Sequence, residues 1–239
     1  MFTDIHNHLC YGMDDGPKEL AASMALAGMA VGQGISEIIS TPHVFPGVHD
    51  FSMEKYAEHL TALQEACERE QLPLKLYPGA EIFYTEATPH FLAQKAVPTL
   101  AGTRYVLIEF SPETGFPYIR RALERVVGTG YEPIVAHAER YVGLRRPEDV
   151  RALRDYCDAK IQVNASTVEA SDRFLRGRWL WKMLDRQYVD FIATDAHDAV
   201  RRPCRLQKSA DILTERYGED YAQLLLRDNA RAILDSLRW

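Results

Sequence analysis

Short apolar runs of strand length alternate along this chain with stretches of helical period, and nearly every run ends in a histidine or a carboxylate. That alternation is a strong constraint, because parallel strands must be joined by long crossovers, usually helices. Strands are predicted at the N-terminus and over 35–40, 74–77, 105–108, 132–136, 161–163 and 189–193. Helices are predicted over 18–33, where Leu20, Met24, Ala27 and Val31 recur at helical spacing, from an N-cap at Ser52 to 71, and over 117–128, 147–159, 179–187, 205–217 and 221–237. The region 83–98 reads as a helix with loops lying over the strand ends.

Residues two apart in an extended chain point to the same side, so His6 and His8 can face one point in space. At or just past the later strand ends stand His43, Glu81, Glu109, His137 and the pair Asp195 and His197; only the end at Asn164 lacks such a group. Singly, a histidine at a strand end is more often a hydrogen-bonded loop residue than a ligand. The joint pattern carries the weight, and His49, His59 and His90 fall outside it. A doubly wound open sheet would spread these residues along an edge, whereas a closed (β/α) barrel gathers them at one mouth. The expected fold is therefore an α/β barrel, with residues 1–239 as a single domain.

Imidazoles and carboxylates without thiolates suit manganese, iron or zinc better than calcium or magnesium. There are more donors than one ion needs. Two or three ions sharing carboxylates would use them, and clustered ions of this kind clamp phosphoryl groups. The remaining composition is that of an ordinary globular protein, 46% hydrophobic and 26% charged. No apolar run approaches membrane length, and Asp4 and His6 interrupt any leader-like segment, so a cytoplasmic protein is expected. A net charge of −6 argues against nucleic-acid binding.

The segments Asp4-Ile-His-Asn-His8, Asp14-Asp-Gly-Pro-Lys18, Ser40-Thr-Pro-His43, Pro78-Gly-Ala-Glu81, Ala136-His-Ala-Glu-Arg140 and Thr194-Asp-Ala-His197 resemble the polymerase-and-histidinol-phosphatase superfamily. Within it the chain is most similar to the bacterial manganese-dependent protein-tyrosine phosphatases of capsule and exopolysaccharide operons, the CpsB/YwqE type. The resemblance implies a (β/α)7 barrel with three divalent ions, manganese first, with iron or zinc as alternatives. It further implies that His6, His8, Glu81 and Asp195 hold one ion, that Glu81 bridges to a second held by Glu109 and His137, and that Asp15, His43 and His197 hold the third. Arg140 and Arg202 match its phosphate-binding positions, although Arg201 beside Arg202 leaves a one-residue slip open. The implied substrate is a phosphotyrosyl protein, the tyrosine-rich tail of an autokinase that controls polysaccharide export. No oligomeric state and no general acid can be read.

Cysteine-based phosphatases need Cys-x5-Arg. Six residues beyond Cys10, Cys67, Cys157 and Cys204 stand Gly16, Pro73, Val163 and Ala210, so that design is absent, and the thiols are expected to be reduced and buried. Three rival readings remain: a related phosphoesterase such as a histidinol-phosphate phosphatase, a metal-retaining binding module, and an amidohydrolase, against which the two arginines argue. Phe45, Tyr84 and Phe110 either line a slot for a phenyl ring or pack the loops.

Overall fold

The computed structural model describes residues 1–171 and 175–236. Its elements run β1 (Phe2–Asn7), α1 (Leu20–Gly32), β2 (Ile35–Ser40), β3 (His43–Val44), α2 (Met53–Arg69), β4 (Lys75–Pro78), β5 (Glu81–Phe83), α3 (Thr88–Ala93), β6 (Tyr105–Glu109), α4 (Phe116–Val127), β7 (Glu132–Val135), α5 (Pro147–Cys157), β8 (Lys160–Asn164), α6 (Ala165–Glu169), α7 (Leu175–Asp185), β9 (Phe191–Ala193), α8 (Gln207–Tyr217), α9 (Glu219–Gln223) and α10 (Asn229–Asp235). A π-helical turn over Leu224–Asp228 joins α9 to α10, where the sequence pattern predicts one regular helix; its predicted end at Leu237 lies outside the described residues. Ser52 caps α2 as expected, its hydroxyl accepting the Lys55 N–H at 3.2 Å, and Pro147 opens α5.

Among the described residues all pairings between strands are parallel. They form a three-stranded sheet in the order β1-β2-β4 and a six-stranded sheet in the order β3-β5-β6-β7-β8-β9. The predicted strand-and-helix alternation is present, with one correction: the predicted strands over 35–40 and 74–77 stand as β2 and β4, but each continues past a two-residue break into a further short strand, β3 or β5. Thr41-Pro42 separates β2 from β3, and Gly79-Ala80 separates β4 from β5, so that β2 and β4 pair in the small sheet and β3 and β5 in the large one. Proline has no N–H to give a ladder. At Gly79 a Cβ would lie 2.6 Å from the Ile39 side chain, so only glycine fits the crossing. Glu81 accordingly opens β5 rather than trailing a strand.

The large sheet curls into a half-barrel. Between β1 and the segment after β9 there is one bridge, Asn7 with Ala196, flanked by two hydrogen bonds: His8 N–H to the Ala196 carbonyl (2.9 Å) and Asp195 N–H to the His6 carbonyl (2.8 Å). Beside β4 lies the 3-10 turn Leu100–Gly102. Ile5, Ile39, Leu107, Ile134 and Phe191 make one apolar cluster. It draws on strands of both sheets, so it lies between them, and Ile233 and Leu234 of α10 join it. A larger cluster packs the helices against the strands. No helix among the described residues is long and apolar enough to cross a membrane.

Tyr56 of α2 ties both strand breaks together. Its hydroxyl donates to the Ser40 carbonyl (2.7 Å) and accepts the Gly79 N–H (3.0 Å), in a fully buried setting. Tyr56→Phe leaves those two backbone groups unpaired, which costs about 1–3 kcal/mol. For a chain of this size each kcal/mol lowers the thermal midpoint by roughly 2–4 °C. Differential scanning calorimetry checks this, and an unshifted midpoint would remove Tyr56 from the account of the crossing.

Candidate metal centre

The strand ends deliver a compact polar cluster. His6 and His8 leave β1 with their Nε2 atoms 3.3 Å apart. Glu81 Oε2 lies 3.2 Å from His6 Nε2, 3.3 Å from His8 Nε2 and 3.1 Å from His43 Nδ1. Its other oxygen, Oε1, is 2.7 Å from His137 Nε2, which also lies 3.4 Å from Glu109 Oε1. Asp195 Oδ1 is 3.4 Å from His6 Nε2. Asp15 Oδ1 is 3.2 Å from His197 Nε2 and 3.6 Å from His43 Nε2. All nine residues expected to hold metal thus meet in one place.

Three overlapping groups there could hold an ion: His6, His8, Glu81 and Asp195; His8, Asp15, His43 and His197; and His43, Glu81 and Glu109. His137 joins the last through its contacts with both glutamates. The donors fit a cation on a second ground. Glu81 Oε2, His43 Nδ1 and His197 Nε2 are buried without a hydrogen-bond partner, and buried polar atoms are normally paired.

Most of the imidazoles are anchored by Nδ1 so that Nε2 faces the centre. His8 Nδ1 bonds Asp14 Oδ2 at 2.6 Å, His197 Nδ1 donates to the Asp195 carbonyl at 3.0 Å, and His137 Nδ1 meets the Tyr141 hydroxyl at 3.2 Å. For His6 the anchor is Gln162 Oε1, at 3.1 Å. The same oxygen accepts the His137 backbone N–H at 2.7 Å, which fixes the amide as oxygen towards both and therefore the His6 tautomer. Gln162 Nε2 donates to Asn164 Oδ1 (2.9 Å), and Asn164 Nδ2 donates to Asp195 Oδ2 (2.8 Å). Buried Gln162 and Asn164 therefore link candidate ligands at the ends of three strands, His6 of β1, His137 after β7 and Asp195 after β9. Sequence reasoning missed them and Asp14. The available signal was Gln162 itself, a polar residue between Ile161 and Val163 in a strand buried from Ile161 to Asn164, two positions from Asn164 and so on its face.

The electrostatics follow from too many carboxylates in too little water. Burial opposes charge on His8, but Asp14 and Glu81 outweigh it and push the imidazole up to about 10. His137, likewise buried, is raised to about 9, chiefly by the Glu81 charge. Glu81 is held well below the usual carboxylate range because His6 and His137 overcome its burial. His197 goes the other way, down to about 4, through burial and the charges of His8 and Arg202. The carboxylates that raise His8 and His137 favour positive charge on that side of the cage. His137 (φ 29°) and Asp195 (φ 53°) both hold left-handed backbone conformations, an uncommon arrangement for residues with side chains.

Arg140 and Arg202 flank this cage. Each donates to Asp195 at 2.6 Å, Arg140 to Oδ2 and Arg202 to Oδ1. Arg201 is 88% exposed and pairs with Asp198, so of the two adjacent arginines it is Arg202 that reaches the cluster. Of the three candidate aromatics, Tyr84 and Phe110 are buried against each other, while Phe45 lines an open cleft of about 530 Å³ with Asp14, Asp15, His43, His49 and Asp50. His59 bonds the Tyr11 carbonyl and stacks on that ring, away from the cage.

A half-barrel of parallel strands carrying a multi-histidine, multi-carboxylate cage at its strand ends defines a metal-site α/β protein with arginines at the rim. The chain belongs to the capsular polysaccharide synthesis CpsB/CapC family, whose pattern it matches over residues 2–235. It is 35% identical to the tyrosine-protein phosphatase CpsB of Streptococcus pneumoniae over 238 residues, covering 97% of each chain. It is 30% identical to the tyrosine-protein phosphatase YwqE of Bacillus subtilis, covering 97% of this chain and 91% of that one. A crystal structure from work on YwqE of Bacillus subtilis and CpsB of Streptococcus pneumoniae, described as unique metal-dependent tyrosine phosphatases, superposes with a TM-score of 0.89 at 28% identity, covering 98% of this chain and 94% of that chain.

Partners that orient a metal-binding histidine typically contribute 10–100-fold to metal affinity. Gln162→Leu, which keeps the bulk and removes the acceptor, is expected to weaken divalent-metal binding by about that factor. Gln162→Glu, which keeps an oxygen towards His6 and His137, should retain more. Equilibrium dialysis with metal analysis reads both, and an unchanged affinity in the leucine variant would show that the amide does not orient the cage.

Proposed function

We propose that this protein is a metal-dependent protein-tyrosine phosphatase, residues 1–239 forming one catalytic domain on a seven-strand (β/α) barrel. The observation that carries the reading is the overlap, through His8, His43 and Glu81, of three groups that could each hold an ion, beside two guanidiniums on Asp195. In this reading His6, His8, Glu81 and Asp195 hold the first of three ions, Glu81, Glu109 and His137 the second, and Asp15, His43 and His197 the third. Imidazole and carboxylate donors favour manganese, with iron or zinc as substitutes.

Divalent ions bound there supply Lewis acidity towards phosphoryl oxygens and a hydrolytic nucleophile at neutral pH. The chain does the rest. Arg140 and Arg202 present planar forks that match phosphate oxygens, and they stabilise the charge that grows on those oxygens during in-line displacement. Phe45, at the open cleft next to His43, offers an apolar face to the phenyl ring. The departing phenolate has a pKa of about 10 and needs little proton assistance, which suits a site without an assigned general acid. Buried thiols take no part: burial pushes Cys10 up to about 12 and Cys157 to about 11, so both stay protonated at neutral pH. The phosphotyrosyl protein is, in this reading, an autokinase of the capsule-export system, met in the cytoplasm.

The test is hydrolysis of a phosphotyrosyl peptide by metal-stripped protein with manganese, iron, zinc, magnesium or nothing added back. Manganese should restore turnover, chelator should abolish it, and iodoacetamide should leave it unchanged. His197→Ala should remove turnover while the circular-dichroism spectrum stays that of the native chain. Silence with every metal would sink the reading; loss of activity on alkylation would sink its thiol-independent chemistry.

A further inference from the structure

A second cleft borders Asp195 and shares no lining residue with the Phe45 cleft. It has a volume of about 410 Å³, and its walls include Arg140, Arg201, Arg202, Arg205, Asn164 and Ser166. Four guanidiniums face two carboxylates there, in a chain whose net charge is −6. Both carboxylates are engaged: Asp195 is held by Arg140 and Arg202, and Glu169 lies 3.9 Å from Lys208. Arg205 is exposed and has no ion-pair partner among the described residues. The Phe45 cleft is the opposite, lined by Asp14, Asp15 and Asp50. The candidate reaction centre thus sits between an acidic, aromatic cleft and a cationic one.

We propose that the cationic cleft takes an acidic side chain of the peptide next to the phosphotyrosine, with Arg205 as the residue that sets this preference. The proposal rests on the phosphatase reading above. Arg140 and Arg202 are occupied at the cage and serve the phosphoryl group, whereas Arg205 shares their cavity and is free to meet a second anion. Neighbouring residues in a peptide are 3.8 Å apart from Cα to Cα, so a side chain one or two positions from the phosphotyrosine stays within the reach of an arginine in the same cavity. Guanidinium favours a carboxylate through two parallel hydrogen bonds. At a solvated rim such a pair contributes modestly and weakens with salt.

The experiment uses the full chain with manganese and two phosphotyrosyl peptides that differ only in Glu against Gln beside the phosphotyrosine, with p-nitrophenyl phosphate as a substrate that lacks the flank. Native protein should prefer the Glu peptide about three- to fivefold, through KM, at low salt. Arg205→Ala should erase that preference, Arg205→Glu should reverse it, and both should hydrolyse p-nitrophenyl phosphate at the native rate. Fluorescence anisotropy on the same peptides separates the two readings. Hydrolysis without charge preference overturns the cleft and leaves the phosphatase standing. Charge-selective binding that depends on Arg205, without hydrolysis, supports the cleft and overturns the phosphatase. A Glu preference that survives in Arg205→Ala also overturns the proposal.

Discussion

The seam between β1 and the segment after β9 is the contact on which the rest of the site depends. It is short, one bridge and two backbone hydrogen bonds, but a buried carboxylate reinforces it. Asp4 Oδ1 accepts the Thr194 N–H at 3.0 Å, and Oδ2 accepts the Thr194 hydroxyl at 2.6 Å and the Asn7 amide at 3.0 Å. A network of this kind is worth having only if it is complete, since a half-satisfied buried carboxylate is costly. Burial raises the Asp4 pKa against the pull of these donors, so its hydrogen bonds are what keep it in place. Through this seam His6 and His8, near the start of the chain, come against Asp195 and His197, nearly 190 residues later. Without it the cage would lose one wall.

Within the cage, charge does the organising. Glu81 touches four imidazoles, and its burial makes each contact stronger than it would be in water. The arginines on Asp195 extend the same logic outward: they neutralise a buried carboxylate and also line the cationic cleft. Polarity therefore changes sign across the site, from Asp14 and Asp15 to Arg202 and Arg205, over the width of a few side chains.

Much of this was legible in the sequence because strand period and polar termination are local properties. His6, His8, Glu109, His137, Asp195 and His197 stand where apolar runs stop, and a parallel sheet must bring such stops to one side. The breaks at Thr41-Pro42 and Gly79-Ala80 were not legible. Proline and glycine there read equally well as strand ends, and only the pairing of β3 with β5 shows the chain continuing. Choosing Arg202 over Arg201 likewise needed coordinates, because adjacent side chains on a loop carry no period. Asp14 was hidden by its neighbour: in Asp-Asp-Gly-Pro one carboxylate faces the cage and the other orients His8 and accepts the N–H groups of Gly16 and His43.

The left-handed backbones at His137 and Asp195 show how this arrangement resists relaxation. Each strained residue is gripped at its backbone and at its side chain by different parts of the molecule. The His137 N–H is held by Gln162 and its ring by Tyr141 and Glu81; the Asp195 N–H is held by the His6 carbonyl and its carboxylate by Asn164, Arg140 and Arg202. Strain of order 1–3 kcal/mol per residue persists only where the surroundings over-determine the conformation. Here the over-determining groups come from β1, β5, β8 and the loops after β7 and β9. The geometry of the cage is thus a property of the assembled sheet ends rather than of any one loop, which explains why the groups that fix it, Gln162, Asn164 and Tyr141, are not themselves candidate ligands.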